Sequence, residues 1–409
     1  MRKTTALTLG LLLLLSFLFF MSPVGRYVVG TPFSGNPEPP PPPRSEQLSF
    51  ELAEGFAAHL FAENVPGARV MHRDPKGTLL VSETSQGKIV ALPNLDSDGK
   101  ADRLITVLDG LNNPHGLLML CPDTGNVSAD QDVCLLYVAE THRVAAYAYD
   151  ADTYSATFEK TLINLPDDGG HFTRTLMLHP DNKRILVSVG SSCNVCMEND
   201  ERRATVLAID LEIKKMSVFA TGLRNTVFMT THYVTGDIWG TDMGRDYLGD
   251  DLPPDEINII RPSTSLGVNN YGWPFCYGKG IRDSTFRSDK EFDCTTTDTS
   301  HLDIPAHSAP LGIAFVPEEG WPEEMWYDAL VAYHGSWNRS TPTGYRVVRF
   351  PLDAEGNPEG GPQDFMTGFM NERGTVIGRP VDILLEPGGV MFVSDDKAGV
   401  IYRIARTGA

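Results

Sequence analysis

The 409 residues contain no run of Lys and Arg, and 34 basic against 53 acidic side chains leave a formal charge of −19. That balance argues against a nucleic-acid partner, since phosphate binding needs a basic face. Convincing helical periods are scarce beyond Leu48, which argues against a bundle or a helix-covered sheet. Cysteine is sparse: six residues, one Cys-x-x-Cys pair ("CNVC", 193–196) and no second pair at zinc-ribbon spacing. Zinc is therefore the lesser reading of that pair. The six fall into near neighbours, Cys121 with Cys134, Cys193 with Cys196 and Cys276 with Cys294, and three local disulfides in an oxidising compartment are expected.

A convincing small-x-small cleavage site is also missing after the N-terminal apolar run from Ala6 to Met21. That run is short for a span of about 20 residues, so residues 1–21 read as a signal peptide or a signal anchor. Arg2 and Lys3 hold its start in the cytoplasm, and the remainder is expected to be exported to the periplasmic or extracellular face. An uncleaved segment would tether the protein to the membrane through residues 4–21. Residues 22–47 include "GNPEPPPPPRSEQ", a Pro-rich linker, which leaves 48–409 as the folded domain.

What is present is a repeat. Short apolar runs broken by Gly, Pro, Asn and Asp give turn, strand, polar connection, strand in "DPKGTLLVSETSQGKIVAL", "DVCLLYVAETHRVAAYAY", "DNKRILVSVGSS" with "ATVLAIDL", "TGDIWGTDMG" with "DEINII", "DALVAYHGSWN" with "GYRVVRFPL", and "PGGVMFVSDDKAGVIYRI". Six copies predict an all-β, six-bladed β-propeller of four-stranded blades. Radial closure protects the edges that so many strands would expose in an open sheet. A pair of β-sandwiches is the alternative, though sandwiches require no repeated unit.

The polar residues that interrupt the blades carry the chemistry. His171 follows two glycines at a loop-to-strand junction, the setting of a general base facing a pocket. Arg224 and Asn225 in "TGLRNTVFM" hold the same place one blade later, Arg379 repeats it in "VIGRPVDILLEPGG", and "YHGSWNRS" sets His334, Ser336, Asn338 and Arg339 in another such loop. Cations at equivalent positions of an acidic chain point to a polyanionic small molecule. "GRDYLGDDLPPDEINII" (244–260) gathers five carboxylates but lacks the alternating oxygens and fixed glycine of an EF-hand loop.

Through "GHFTRTLMLHPDNKRILVSVG", "GLRNTVF", "GRDYLGDDLPPDEINII", "NNYGWPFC", "HGSWNRS" and "GRPVDILLEPGGVMFVSDD", the chain resembles the pyrroloquinoline quinone (PQQ) dependent glucose/sorbosone dehydrogenases from about Phe50 to Ile404. The sorbosone-dehydrogenase-like branch is the nearer. The resemblance implies a soluble six-bladed propeller that oxidises a sugar with PQQ and Ca²⁺ and passes electrons to an external acceptor. It implies His171 as catalytic base, Arg224 and Asn225 at the quinone oxygens, Arg379 on a PQQ carboxylate and His307 at the cofactor. The carbonyls of Gly244 and Arg245 would hold the calcium, and Glu256 with Tyr271 a second one. The glucose branch has a Lys where this chain reads "HGSWNR", so Ser336, Asn338 or Arg339 must substitute; its first-blade Gln is replaced near "NNPHGLL", where His115 is the polar candidate. Two rivals remain: a calcium-dependent lactonase-type propeller, and a non-catalytic propeller binding a glycan or protein.

Overall fold

Strand pairing follows the repeat. The structure, a computed structural model, describes residues 50–122, 133–263, 267–288 and 292–407; the expected signal segment and Pro-rich linker lie outside the described residues. Blade I is built from Ala68–Arg73, Leu79–Glu83, Lys88–Leu92 and Ile105–Leu108, and blade II from Leu117–Leu120, Leu135–Glu140, Arg143–Asp150 and Ser155–Asn164. Blade III comprises Leu176–Leu178, Arg184–Val189, Thr205–Asp210 and Met216–Thr221, with Asn269–Asn270 added in parallel. Blade IV holds Thr226–Thr231, Ile238–Asp242, Asp255–Ile260 and Leu302–Ile304, and blade V Pro310–Phe315, Ala329–Tyr333, Arg346–Phe350 and Gln363–Thr367, edged by Glu51–Leu52. Blade VI takes Pro380–Glu386, Val390–Asp395 and Val400–Arg406 from the C-terminal end and Phe56–Glu63 from the N-terminal end. Phe56 pairs with Arg406 and Glu63 with Val400, so the two ends of the domain zip the ring shut. The expected six blades of four strands are the fold.

Each blade packs between two others, which explains the unbroken apolar runs. The second strands of blades I, II, IV and V are buried at every residue, because both of their faces meet a neighbouring sheet. Leu80, Leu136, Ile185 and Leu330 are fully buried, each contributing about 1.5–3 kcal/mol by leaving water. Outer strands read differently: Ser155–Asn164 is largely exposed. Trp239 fills the seam between blades IV and V, its ring edge-on to Phe315 at 5.1 Å.

Register fixes where the polar residues emerge. The first residue of an inner strand pairs with the last of the second strand, as Thr226 with Asp242 and Pro380 with Asp395. Entries to inner strands and exits from second strands therefore share one face of the ring. Bulges interrupt the inner-strand starts of blades I, IV, V and VI, and a bulge bends the strand and re-aims its side chains. Buried serines satisfy amides at the inner-strand starts of blades I, III and VI: Val70 N, Thr175 N and Asp382 N donate to Ser82, Ser188 and Ser394 Oγ at 3.0–3.1 Å. The three expected disulfides are formed, Cys121–Cys134, Cys193–Cys196 and Cys276–Cys294.

Candidate active site on the axial face

Every blade delivers a His or Arg at or just before its inner strand: Arg69, His115, His171 with Arg174, Arg224, His307 and Arg379. His171 is the most exactingly held. Its Nδ1 lies 3.0 Å from the Ser191 carbonyl and 3.1 Å from Ser191 Oγ, and that hydroxyl spends its own proton on Cys193 O at 2.7 Å. Both partners can only accept, so Nδ1 carries the ring proton and Nε2 the lone pair. Nε2 has no hydrogen bond to a described residue and is not sealed in the interior. Burial, then the Arg224 guanidinium, with Arg174 and Arg203 adding to it, pushes the ring down to about 3; it is a neutral acceptor throughout the physiological range.

A close approach makes this placement possible. A Cβ on Gly190 would stand 2.5 Å from Asn225 Oδ1 and 2.6 Å from His171 Cβ, so glycine at the end of "SVG" lets base and amide meet. Fully buried Arg174 braces the same loop, donating to His171 O at 2.8 Å, Thr173 O at 2.9 Å and Pro166 O at 2.7 Å.

Arg224 is buried and spends its fork on three main-chain oxygens and one side-chain amide: Nε to Asn194 O (3.0 Å), Nη1 to Gly244 O (2.9 Å) and Met243 O (3.2 Å), Nη2 to Asn194 Oδ1 (2.9 Å), with Asp246 at 3.5 Å. The acidic loop continues from there toward blade V. Asn338 Nδ2 donates to Asp246 Oδ1 at 2.8 Å, Arg339 reaches Asp251 Oδ1 at 2.9 Å, Ser340 N meets Asp250 Oδ1 at 3.1 Å, and His307 Nε2 donates to Gly249 O at 2.8 Å. Asp255 accepts from Gly244 N (2.8 Å) and Ala309 N (2.9 Å). Charge crowded in 244–260 thus ties two blades together at the mouth.

Arg379 differs from Arg69 and Arg224, which lie beside Asp396 and Asp246. Its Nη1 donates to Gly335 O at 3.0 Å and reaches His334 Nδ1 at 3.4 Å, and it pairs with no carboxylate among the described residues. Beside it, Asp396 accepts from His334 Nε2 at 2.9 Å and Arg69 Nη1 at 2.7 Å. Burial opposes the Asp396 charge, yet His334 and the Arg69 and Arg379 guanidiniums outweigh it and hold the carboxyl at about 2.

The remaining expected residues fall in two places. Gly244, Arg245, Glu256 and Tyr271 line one small cleft with Arg224 and Asp283. There the Arg245 side chain turns to Asp283 (2.8 Å), the Tyr271 hydroxyl donates to Ile259 O (2.6 Å), and Glu256 accepts from Asn258 Nδ2 (2.9 Å). His115 is fully buried, 3.3 Å from Thr175 Oγ1 and edge-on to Phe228, with Nε2 unpartnered among the described residues.

The residue pattern matches the TrAA12-like family from 50 to 407. The chain belongs to that family. Among relatives, an uncharacterised protein of Borreliella burgdorferi is 34% identical over 57% of this chain and 60% of its own. The pyrroloquinoline quinone-dependent pyranose dehydrogenase of Coprinopsis cinerea is 24% identical over 90% of this chain and 55% of its own length. The chain thus spans little more than half of the curated relatives it matches. The holo form of the pyranose dehydrogenase PQQ domain from Coprinopsis cinerea superposes with a TM-score of 0.71 at 22% identity, covering 91% of this chain and 99% of that one. The kinship that the motifs implied is borne out.

In this TrAA12-like chain Arg69 lies outside every motif that reading the sequence singled out, while Arg174, Ser191, Asn194 and Asp396 lie inside such motifs with nothing to single them out individually. One signal was available. Second strands end in an acid in "LLVSE", "LLYVAE", "IWGTD" and "VMFVSD", and these acids hold the entry loops: Glu140 accepts from Asn112 N at 2.7 Å, Asp242 from Thr226 Oγ1 at 2.6 Å, Asp395 from Arg379 N at 2.9 Å.

Proposed function

We propose that this protein is a PQQ- and Ca²⁺-dependent dehydrogenase that oxidises a CH–OH group of a sugar, with His171 as general base. The observation that carries the reading is the His171 arrangement: a neutral imidazole, its Nδ1–H fixed on Ser191, its Nε2 lone pair open, in a cationic setting within an acidic chain. Such a base takes the hydroxyl proton at Nε2 while Ser191 keeps the ring oriented.

The residues present fit an anionic quinone. Among the described residues Arg379 has no carboxylate of its own, and His115 Nε2, Arg69 Nε and Arg174 Nε are buried without partners. Arg379 would take a ligand carboxylate, Arg224 and Asn225 would face the redox oxygens, and His115 would lie beneath. Arg339 and His307 serve by fixing the loop that closes the mouth. Ca²⁺ suits the carbonyl oxygens of Gly244 and Arg245, since one lone pair of Gly244 O is left beside its bond to Arg224; Glu256 and Tyr271 would serve a second, structural ion. When bound, the quinone supplies the two-electron acceptor and the calcium polarises its carbonyl. A His or Arg from every blade favours this reading over a lactonase, which needs carboxylate and amide ligands converging on the axis. Three disulfides support an exported enzyme that passes electrons to an external acceptor.

Dye reduction by purified protein given PQQ, Ca²⁺ and a panel of aldoses tests the proposal. His171→Ala should lower the rate by about 10²–10⁴. Lactone hydrolysis with Ca²⁺ alone, and no dye reduction by any aldose, would defeat it.

A further inference from the structure

We infer that the Cys193–Cys196 loop is a positioning clamp for the active site, with Asn194 as its working residue. This rests on the proposed dehydrogenase reading. Asn194 makes five contacts from between the two cysteines: its carbonyl accepts from Arg224 Nε (3.0 Å) and Trp273 Nε1 (3.4 Å), and its Oδ1 accepts from Arg224 Nη2 (2.9 Å) and Asp246 N (2.8 Å). Its Nδ2 donates to Asp246 O (3.1 Å). One amide side chain therefore sets the plane of the Arg224 fork and anchors the start of the acidic loop, the two groups that meet at Gly244.

The disulfide is what makes a loop residue rigid enough for this. It closes a ring only three residues in separation, so the backbone of Asn194 has little freedom to lose when Arg224 docks. Glu198 tightens the same turn, accepting from Ser192 N (2.8 Å) and Ser192 Oγ (2.6 Å). The clamp reaches the base as well. Cys193 O receives the Ser191 hydroxyl proton, and that bond makes Ser191 Oγ an acceptor toward His171 Nδ1. Arginine and base, on two different blades, are thus referenced to one small ring. Asn194 touches neither reacting atoms nor substrate in this account; it acts through Arg224.

Three variants test it: Asn194→Ala, Asn194→Asp, and Cys193→Ser with Cys196→Ser. Asn194→Ala removes one Arg224 acceptor and both side-chain anchors of Asp246, and kcat should fall about 10- to 100-fold with KM for the sugar changing less than threefold. Asn194→Asp keeps the acceptors for Arg224 and Asp246 N but cannot donate to Asp246 O, so its loss of kcat should be smaller than that of Asn194→Ala. A second readout needs neither cofactor nor sugar: the Arg224 Nε–H and His171 Nδ1–H exchange rates with water by NMR. Arg224 exchange should quicken at least tenfold in Asn194→Ala, and both should quicken in the double serine variant. Unchanged exchange and unchanged kcat in Asn194→Ala and the serine variant would overturn the clamp. Quickened exchange in a protein that oxidises no sugar would leave the clamp standing and count against the dehydrogenase reading alone.

Discussion

Acidification should leave His171 neutral long after an ordinary histidine has charged. The ring titrates near 3 in the folded protein against about 6.5 unfolded, and a difference of about 3.5 units corresponds to at most about 5 kcal/mol. Because His171 is only partly buried, solvent screening makes that figure an upper bound. The folded state binds fewer protons than the unfolded chain between those two values. Stability contributed by this ring is therefore intact above about pH 6.5 and falls as pH drops toward 3. Histidine labelled with ¹⁵N reads both quantities: His171 should show a neutral Nδ1–H tautomer at pH 5, with its midpoint well below 4.5. Arg224→Gln removes the foremost charge acting on the ring and should raise the midpoint by about one unit. A midpoint at 6 or above, or an Nε2–H tautomer, would refute both the electrostatic reasoning and the assignment of Nε2 as the base.

Other perturbations separate the supporting contacts. Gly190→Ala drives a methyl into Asn225 and His171; it should cost about 1–3 kcal/mol in urea unfolding and lower kcat at least tenfold, and wild-type turnover would contradict the close-approach argument. Asp396 has a folded pKa near 2 against an ordinary 3.8, so it contributes about 2 kcal/mol that is present above pH 4 and lost as pH falls through 2. Asp396→Asn should remove that much at pH 7 and flatten the acid limb of the stability profile. Arg339→Ala frees the loop around Asp250 and Asp251, which should become a site of rapid limited proteolysis while the propeller stays folded; a resistant loop would show that Arg339 does not secure it.

The fold was legible because propeller physics writes itself into composition. Second strands covered on both faces must be continuously apolar, as in "LLYVAE" and "RILVSV", and six such runs between turns imply a ring. Residues at inner-strand entries were legible too, since His171, Arg224 and Arg379 interrupt that pattern at equivalent points. Asn194 and Ser191 were not. Their importance lies in what their carbonyl and hydroxyl oxygens face across the chain, and an Asn in a Cys-x-x-Cys turn looks like any loop residue. Arg69 and Asp396 escaped for a related reason: they come from opposite ends of the domain and meet only where the ring closes. In 244–260 the carboxylates suggested an ion site, whereas Asp246, Asp250 and Asp251 are spent on Asn338, Ser340 and Arg339.

Equilibrium titration of the purified protein with PQQ at fixed Ca²⁺, followed by absorbance, reads directly whether the His and Arg residues of the axial face hold the cofactor. Saturable binding of one PQQ per chain, weakened at least tenfold by Arg379→Ala and little by His171→Ala, is the predicted result. Absence of saturable binding in a folded protein would contradict the account.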